Sequence, residues 1–193
     1  MDKKQLRQEL QKCLREIEPE KQAQKSRRAC ERLISTAQFQ DASVIMMYLA
    51  IPNEADCCDA IAAAWQQGKT VIVPKVCWED KEMTVVQIDS LEADFSTEVS
   101  GLRNPIDGVP VPFGQIDLVV TPALAYDRRG NRLGRGGAYY DRFFASDELK
   151  ASRCGFAFSE QLVESVPVEN HDQMVHFLVT DSEVITFDNQ QGE

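Results

Sequence analysis

Long apolar runs separated by helical patterns constrain the fold of this chain more than any other feature. SVIMMYLA at 43–50, TVIVPKV at 70–76 and IDLVVTPALA at 116–125 lack the polar alternation of a half-exposed strand. Each run therefore predicts a strand that is covered on both faces. Further candidate strands are MTVVQI at 83–88 and, near the end of the chain, SRCGFAFS, HFLVT and VITF.

Helical periodicity fills the intervals between these strands. Residues 2–17 and a segment that begins at Pro19 carry apolar side chains at helical spacing, and residues 56–67 also predict a helix. Residues 89–115 are rich in turn residues and predict irregular structure. Strands that alternate with helices indicate an α/β fold, in which helices cover both faces of a mostly parallel sheet.

Charge and hydropathy narrow the choice of partners. The formal net charge of −10 argues against general affinity for nucleic acid, and no apolar run approaches the roughly 18 residues that span a bilayer. The charged segment MDKKQLRQEL does not resemble a secretory signal, and the six cysteines show no metal-ligand spacing. We therefore expect a single cytoplasmic domain over residues 1–193 that binds small molecules rather than nucleic acid or membranes, as a monomer or weak homo-oligomer.

The segment RLGRGGAYYD at 132–141 stands out in this acidic chain. Between residues 127 and 142 there are five arginines against two aspartates, a local charge of +3. The segment follows a predicted strand and precedes a predicted helix, which is where open α/β sheets bind ligands. Glycines let the backbone approach an anion, and Arg132 and Arg135 can bind phosphate oxygens. Asp141 is placed to hold a Mg²⁺ ion, although a glycine turn flanked by solvated arginines is the simpler alternative.

NRLGRGGAYYDRFF at 131–144 closely resembles the signature of the 5-formyltetrahydrofolate cyclo-ligase family. The resemblance extends along nearly the whole chain, because further segments occur in the family's order. These segments are KKQLR at 3–7, YLAIPNEAD at 48–56, QQGKTVIVPKV at 66–76, DLVVTPALAYDRRGNRLGRGG at 117–137 and VPVENHD at 166–172.

This resemblance implies both a fold and a reaction. The family has a three-layer α/β/α sandwich of the kind shared with ribose-phosphate isomerases and CoA transferases. Its members use ATP and Mg²⁺ to convert 5-formyltetrahydrofolate, a reduced folate, to 5,10-methenyltetrahydrofolate, with release of ADP and phosphate. Phosphoryl transfer needs positioning and charge neutralisation more than covalent help, which suits glycines, arginines and a metal ion.

The resemblance also implies roles for individual residues. Glu54 would face the pterin and the formyl group, Leu49 and Ile51 would form an apolar wall, and Glu54 and Arg135 would be catalytic. Arg135 and Tyr139 would also contact the folate, and Asp141 and Asp172 would bind the metal ion. The residues implied in ATP binding are Lys3, Lys4, Arg7, Arg132, Leu133, Gly134, Arg135, Gly136, Gly137, Ala138, Tyr139 and Tyr140.

Three positions depart from the family's common residues: Cys57 replaces threonine, Ala138 replaces glycine and His176 replaces aspartate. We expect Ala138 to be helical already, with Gly136 and Gly137 making the preceding turn. If Ala138 and His176 disabled turnover, the protein would be a non-catalytic folate- or nucleotide-binding protein. A sugar-phosphate isomerase-like enzyme of the same fold is the other alternative, although KKQLR would then have no purpose.

Overall fold

The computed structural model describes residues 1–92, 94–97 and 101–187, so residues 93, 98–100 and 188–193 of the predicted domain lie outside the described part. The helices are α1 Lys3–Glu16, α2 Pro19–Ser35, α3 Ala37–Asp41, α4 Cys58–Gln66 and α5 Tyr139–Phe144. The strands are β1 Val44–Met46, β2 Thr70–Cys77, β3 Glu82–Gln87, β4 Phe95–Thr97, β5 Arg103–Pro105, β6 Leu118–Thr121, β7 Ala125–Asp127, β8 Arg132–Leu133, β9 Ser152–Ala157, β10 Leu162–Val163, β11 Phe177–Thr180 and β12 Val184–Thr186.

A seven-stranded sheet in the order β12-β11-β9-β6-β1-β2-β3 organises the fold. Its five inner strands pair in parallel, and the outer strands β3 and β12 pair antiparallel to their neighbours. The prediction of a mostly parallel sheet is therefore confirmed. Parallel strands end at the same edge of a sheet, so the loops that follow β1 and β6 approach each other there.

Alternation along the inner strands directs side chains to both faces of the sheet. Ile45 and Met47 join the core beneath α1, α2 and α4, whereas Met46 packs in a second core that includes Phe143 and Phe144 of α5. The residues of β6 are buried throughout. Helices on both faces explain the continuous apolar runs, because neither face of an inner strand meets water.

Local capping fixes the first helix. The carboxylate of Asp2 accepts a hydrogen bond from the backbone N–H of Gln5 at 2.8 Å, and the Gln5 side chain accepts one from Asp2 N–H at 3.1 Å. This reciprocal pair begins α1 at Lys3. Leu6, Leu10 and other apolar residues of α1 are buried against the sheet. Among the described residues, no helix has the length and apolar character needed to cross a bilayer.

Three details differ from the sequence-based expectations. The predicted strand at 116–125 is two strands, because Pro122 has no N–H to continue the ladder after Thr121. The predicted strand at 43–50 ends at Met46, and the chain beyond it leads into a cleft. The segment 89–115, expected to be irregular, contains the antiparallel pair of β4 and β5.

Gly155 of β9 allows the closest packing on the sheet. A Cβ atom at this position would lie 2.6 Å from Cε1 of Tyr126 and 3.0 Å from Cδ1 of Leu178. Tyr126 is fully buried, and its hydroxyl donates to the carbonyl of Thr121 at 2.5 Å. The ring is therefore held in place and has little room to move away.

We predict that Gly155→Ala lowers the free energy of unfolding by about 1–3 kcal/mol, the usual cost of overpacking a core. Urea denaturation would measure the change. Gly114→Ala is the matched control, because a Cβ atom there would meet its nearest neighbour at an ordinary 3.6 Å. Equal stability of the two variants would show that Tyr126 can move after all.

Candidate active site

A cleft of about 580 Å³ lies at the edge where the parallel strands end. The loop after β1, the glycine-rich segment between β8 and α5, the N-terminal turn of α1 and the loop around residues 169–172 form its walls. Predicted site residues that line the cleft are Lys3, Arg7, Leu49, Ile51, Glu54, Arg132, Leu133, Gly134, Arg135, Gly136, Gly137, Ala138, Tyr139, Tyr140, Asp141 and Asp172. The fold thus brings together segments that are far apart in the sequence.

Lys4 is the predicted site residue that the structure does not bring to the cleft. It is exposed on α1, and the cleft is lined by its neighbours Lys3 and Arg7. Residues four apart lie on the same side of a helix, whereas successive residues are turned by roughly 100°. The role of Lys4 in ATP binding therefore stays a prediction that the geometry of the cleft does not support.

The glycine-rich segment makes a tight turn before α5. Gly136 has φ of +114°, and Ala138 is in the left-handed region at φ 52°, ψ 24°. A Cβ atom at Gly137 would lie 2.7 Å from the ring of Tyr139, so this position requires glycine. The expectation that Ala138 is helical is wrong, because α5 begins only at Tyr139 and Ala138, like Gly136, has a positive φ.

Glu54 and Arg135 form an ion pair across the cleft. Nε of Arg135 donates to Oε1 of Glu54 at 2.9 Å, while the backbone N–H of Ile51 donates to Oε2 at 3.2 Å. The Glu54 side chain is only 8% exposed and that of Arg135 is 36% exposed. Burial raises the pKa of Glu54 above its ordinary value, and the positive charge of Arg135 opposes this rise.

Two further carboxylates, those of Asp141 and Asp172, line the cleft. Oδ1 of Asp141 accepts from Nη2 of Arg132 at 2.6 Å and from the backbone N–H of Gln173 at 3.2 Å. Oδ2 of Asp172 accepts from Nζ of Lys3 at 2.6 Å. Burial opposes ionisation of Asp172, but hydrogen bonds from Lys3 and from the backbone N–H of Glu169 outweigh it and lower its pKa. The contact with Gln173 places Asp141 beside the segment that carries Asp172.

Neighbouring side chains extend this group of possible metal ligands. Ligand atoms of Glu169, His171 and Asp172 lie within 4.8 Å of one another. Oxygen donors at this spacing suit a hard divalent cation such as Mg²⁺. Sequence reasoning assigned no role to Glu169 or His171, although both flank Asp172 in the segment ENHD.

The first helix is tied to the glycine-rich segment. Nε of Arg7 donates to the carbonyl of Gly134 at 2.9 Å, and Nζ of Lys3 lies 3.0 Å from Glu169 as well as contacting Asp172. These contacts place two cations of α1 at the edge of the cleft. The order of segments in the sequence could not show this, because α1 and the glycine-rich segment are separated by more than 100 residues.

Aromatic side chains form another wall. Trp78 is half exposed and meets the ring of Tyr139 edge-on, with 5.9 Å between ring centroids, and the guanidinium of Arg142 lies 5.0 Å from the same ring. Sequence reasoning missed Trp78, as well as other apolar residues that line the cleft, namely Pro52, Pro74, Val76, Met83 and Leu102. A tryptophan within the polar turn CWEDKE was the available signal.

Two buried polar atoms near the glycine-rich segment lack a hydrogen-bond partner among the described residues. They are Nε of Arg132 and the hydroxyl oxygen of Tyr140. Burial raises the pKa of Tyr140, and the nearby charge of Glu54 raises it further. Buried donors without partners are rare in folded proteins, which suits a cleft that receives a polar ligand.

The three positions expected to depart from the family's common residues bring no charged group into the cleft. Cys57 is buried, with its thiol donating to the carbonyl of Tyr48 at 3.0 Å. Nδ1 of His176 accepts from the backbone N–H of Arg153 at 3.2 Å. Neither residue lines the cleft, and Ala138 adopts the left-handed geometry that glycine adopts easily.

We predict that Ala138→Gly raises the free energy of unfolding by about 0.5–1 kcal/mol, because left-handed strain in alanine exceeds the entropy that glycine adds to the unfolded chain. Thermal or urea unfolding would measure it. Ala145→Gly at the other end of α5, where φ is −79°, is the matched control and should be slightly destabilising. A loss of stability in both variants would contradict the left-handed assignment.

Comparisons with known proteins agree with this architecture. The sequence profile of the 5-formyltetrahydrofolate cyclo-ligase family matches residues 1–181. The chain is 30% identical over 183 residues to a 5-formyltetrahydrofolate cyclo-ligase of Mus musculus, which covers 90% of both chains. It is 28% identical over 173 residues to the Escherichia coli K12 protein of that name, covering 88% of this chain and 95% of the relative.

A solved structure gives the same result in three dimensions. The 5,10-methenyltetrahydrofolate synthetase of Aquifex aeolicus superposes with a TM-score of 0.84 at 26% sequence identity, covering 100% of this chain and 96% of that one. A match this complete includes the sheet, the glycine-rich segment and the first helix, which together build the cleft. Because sequence and structure agree over nearly the full length, the chain belongs to the 5-formyltetrahydrofolate cyclo-ligase family.

Proposed function

We propose that this protein uses ATP to convert 5-formyltetrahydrofolate to 5,10-methenyltetrahydrofolate, releasing ADP and phosphate. The observation that carries the proposal is one cleft in which the buried carboxylate of Glu54 faces Arg135 on a glycine-rich turn. Membership of the cyclo-ligase family supplies the reaction class. We further propose that the chain acts as one cytoplasmic domain, as a monomer or weak homo-oligomer, without nucleic-acid or membrane partners.

The chemistry explains why both halves of the cleft are needed. A formamide oxygen is a poor leaving group, so the γ-phosphoryl group of ATP is transferred to it first. The N10 amine then attacks the activated formyl carbon, the carbon–oxygen bond breaks, and the oxygen departs with phosphate. N10 loses its proton during ring closure. A carboxylate whose pKa is raised by burial, as burial raises that of Glu54, is suited to receive such a proton.

The glycine-rich segment and α1 form the proposed nucleotide side. Arg132 and Arg135 would neutralise phosphate oxygens, while Lys3 and Arg7 approach from the first helix. Backbone N–H groups of Gly136 and its neighbours would contact the phosphates where no side chain intervenes. Positioning and charge neutralisation are the main requirements of phosphoryl transfer.

Asp141 and Asp172 are the proposed Mg²⁺ ligands; Glu169 and His171 lie close to Asp172, and Asp141 contacts the same segment through the backbone of Gln173. Their oxygen atoms fit a hard cation, and Mg²⁺ would neutralise charge on the transferring phosphoryl group. In the structure, Lys3 forms an ion pair with Asp172 and Arg132 forms one with Asp141. The same two cations can turn to phosphate when a metal ion takes their place.

The other wall of the cleft is the proposed folate side. Leu49, Ile51 and Tyr139 form an apolar surface against which a pterin ring can pack, and Trp78 extends it. The buried carboxylate of Glu54 lines the same cleft, where its oxygens can accept hydrogen bonds from ring N–H groups. A single buried carboxylate on an apolar wall orients a flat ring with donors along one edge.

We predict that turnover requires both ATP and Mg²⁺. Purified protein with 5-formyltetrahydrofolate should form the methenyl product, followed by its ultraviolet absorbance, and release equal amounts of ADP and phosphate. Chelation of divalent cations should stop the reaction, because Asp141 and Asp172 then carry no metal ion. An undiminished rate with chelator would remove these residues from the proposed role, and ligand binding without phosphate release would favour a non-catalytic binding protein.

We predict that Arg7→Ala raises the Michaelis constant for ATP while leaving that for folate nearly unchanged. Loss of a charged hydrogen bond of this kind costs about 1.5–3 kcal/mol, which corresponds to roughly a 10- to 150-fold effect. Lys4→Ala is the matched control, because Lys4 is an exposed neighbour that does not line the cleft. A rise in the folate constant alone, or equal effects of the two variants, would contradict the assignment.

A further inference from the structure

The contact between Arg135 and Glu54 joins two residues that the proposed reaction needs for different ligands. Arg135 would bind ATP phosphates, whereas Glu54 would bind the reduced folate. In the structure the two side chains bind each other at 2.9 Å. Each ligand must therefore compete with this ion pair for its own residue.

The two partners differ in their freedom to move. Glu54 is 8% exposed, and its second oxygen accepts a hydrogen bond from the backbone of Ile51. Arg135 is 36% exposed and lies between Gly134 and Gly136 on the turn. Breaking the pair therefore moves the arginine and leaves the carboxylate in place.

No substitute cation is ready to replace Arg135. Within the described part of the chain, Arg135 is the partner recorded in an ion pair with Glu54, whereas Lys3 pairs with Asp172 and Arg132 pairs with Asp141. A buried carboxylate that loses its partner must gain another hydrogen-bond donor, because an unsatisfied buried charge is costly. The ring N–H groups of a reduced pterin are donors of the required kind.

We propose that Arg135 couples the two substrates of this enzyme. Paired with Glu54, it blocks the carboxylate that receives the folate. When ATP phosphates bind Arg135, Glu54 becomes free for the folate, and when folate binds Glu54, Arg135 becomes free for phosphate. Arg135 thereby acts as a positioning residue for the folate as well as a phosphate ligand. The inference rests on the proposed function, because it requires both ligands to enter this cleft.

The coupling is reciprocal for thermodynamic reasons. Whichever ligand binds first must break the ion pair, and the second ligand then binds without that cost. Linkage requires each ligand to strengthen the other by the same factor, and typical factors of this kind are about 5- to 150-fold. Burial raises the pKa of Glu54, which shows that its charged form is poorly solvated. The carboxylate is therefore costlier to leave unpaired than the more exposed guanidinium of Arg135.

Binding measurements with a non-hydrolysable β,γ-imido analogue of ATP, in the presence of Mg²⁺, test this proposal. By isothermal titration calorimetry, saturating 5-formyltetrahydrofolate should lower the dissociation constant of the analogue about 10-fold in the unmodified protein. Without folate, Glu54→Gln should also bind the analogue about 10-fold more tightly, because the neutral amide releases Arg135. A purely structural role of Glu54 would instead weaken nucleotide binding or leave it unchanged.

Glu183→Gln provides the matched control. It removes the partner of another arginine, Arg128, in an exposed pair outside the cleft, and should leave analogue affinity unchanged. Glu54→Ala, which removes the carboxylate altogether, gives the second test if Glu54→Gln does not fold. Unchanged or weaker analogue binding in a folded Glu54 variant would overturn the coupling. Failure of the unmodified protein to bind either ligand would instead overturn the proposed function.

Discussion

Parallel pairing of the inner strands is the constraint on which the rest of this structure depends. β1, β6 and β9 run in the same direction, so the segments that follow them emerge at one edge of the sheet. The turn after β1 carries Glu54, and the segment that follows β6 through β7 and β8 carries Arg135. These residues are 81 positions apart in sequence, yet their side chains are in contact. The site exists because the sheet fixes where its loops begin.

Several charged side chains in the cleft are arranged as oppositely charged pairs. The protein has a net charge of −10, but its glycine-rich segment is locally positive. Within the described residues, Arg135, Arg132 and Lys3 are paired with Glu54, Asp141 and Asp172, respectively. Charges in a partly buried site are stabilised by such pairing.

Backbone geometry shows how the turn before α5 accommodates alanine at position 138. Ala138 adopts φ of 52° at the start of α5, so the turn keeps the same course that glycine would give it. The strain is moderate, on the order of 1–2 kcal/mol, and a fully buried core can support it. Gly137 has no such freedom, because its hydrogen faces the ring of Tyr139. Position 138 thus needs a left-handed backbone, which alanine can adopt at some cost, whereas position 137 needs the absence of a side chain.

The amino-acid sequence by itself determined the fold class and the family. Apolar runs of β1, β2 and β6 require cover on both faces, and the segment 132–141 is specific enough to identify relatives. The tertiary structure alone decided which charges meet, because ion pairs such as Lys3 with Asp172 depend on distances that sequence spacing does not contain. It also placed Lys4 outside the cleft and Trp78 inside it. It assigned Ala138 to the left-handed region, because a turn between packed elements overrides the helical preference of alanine.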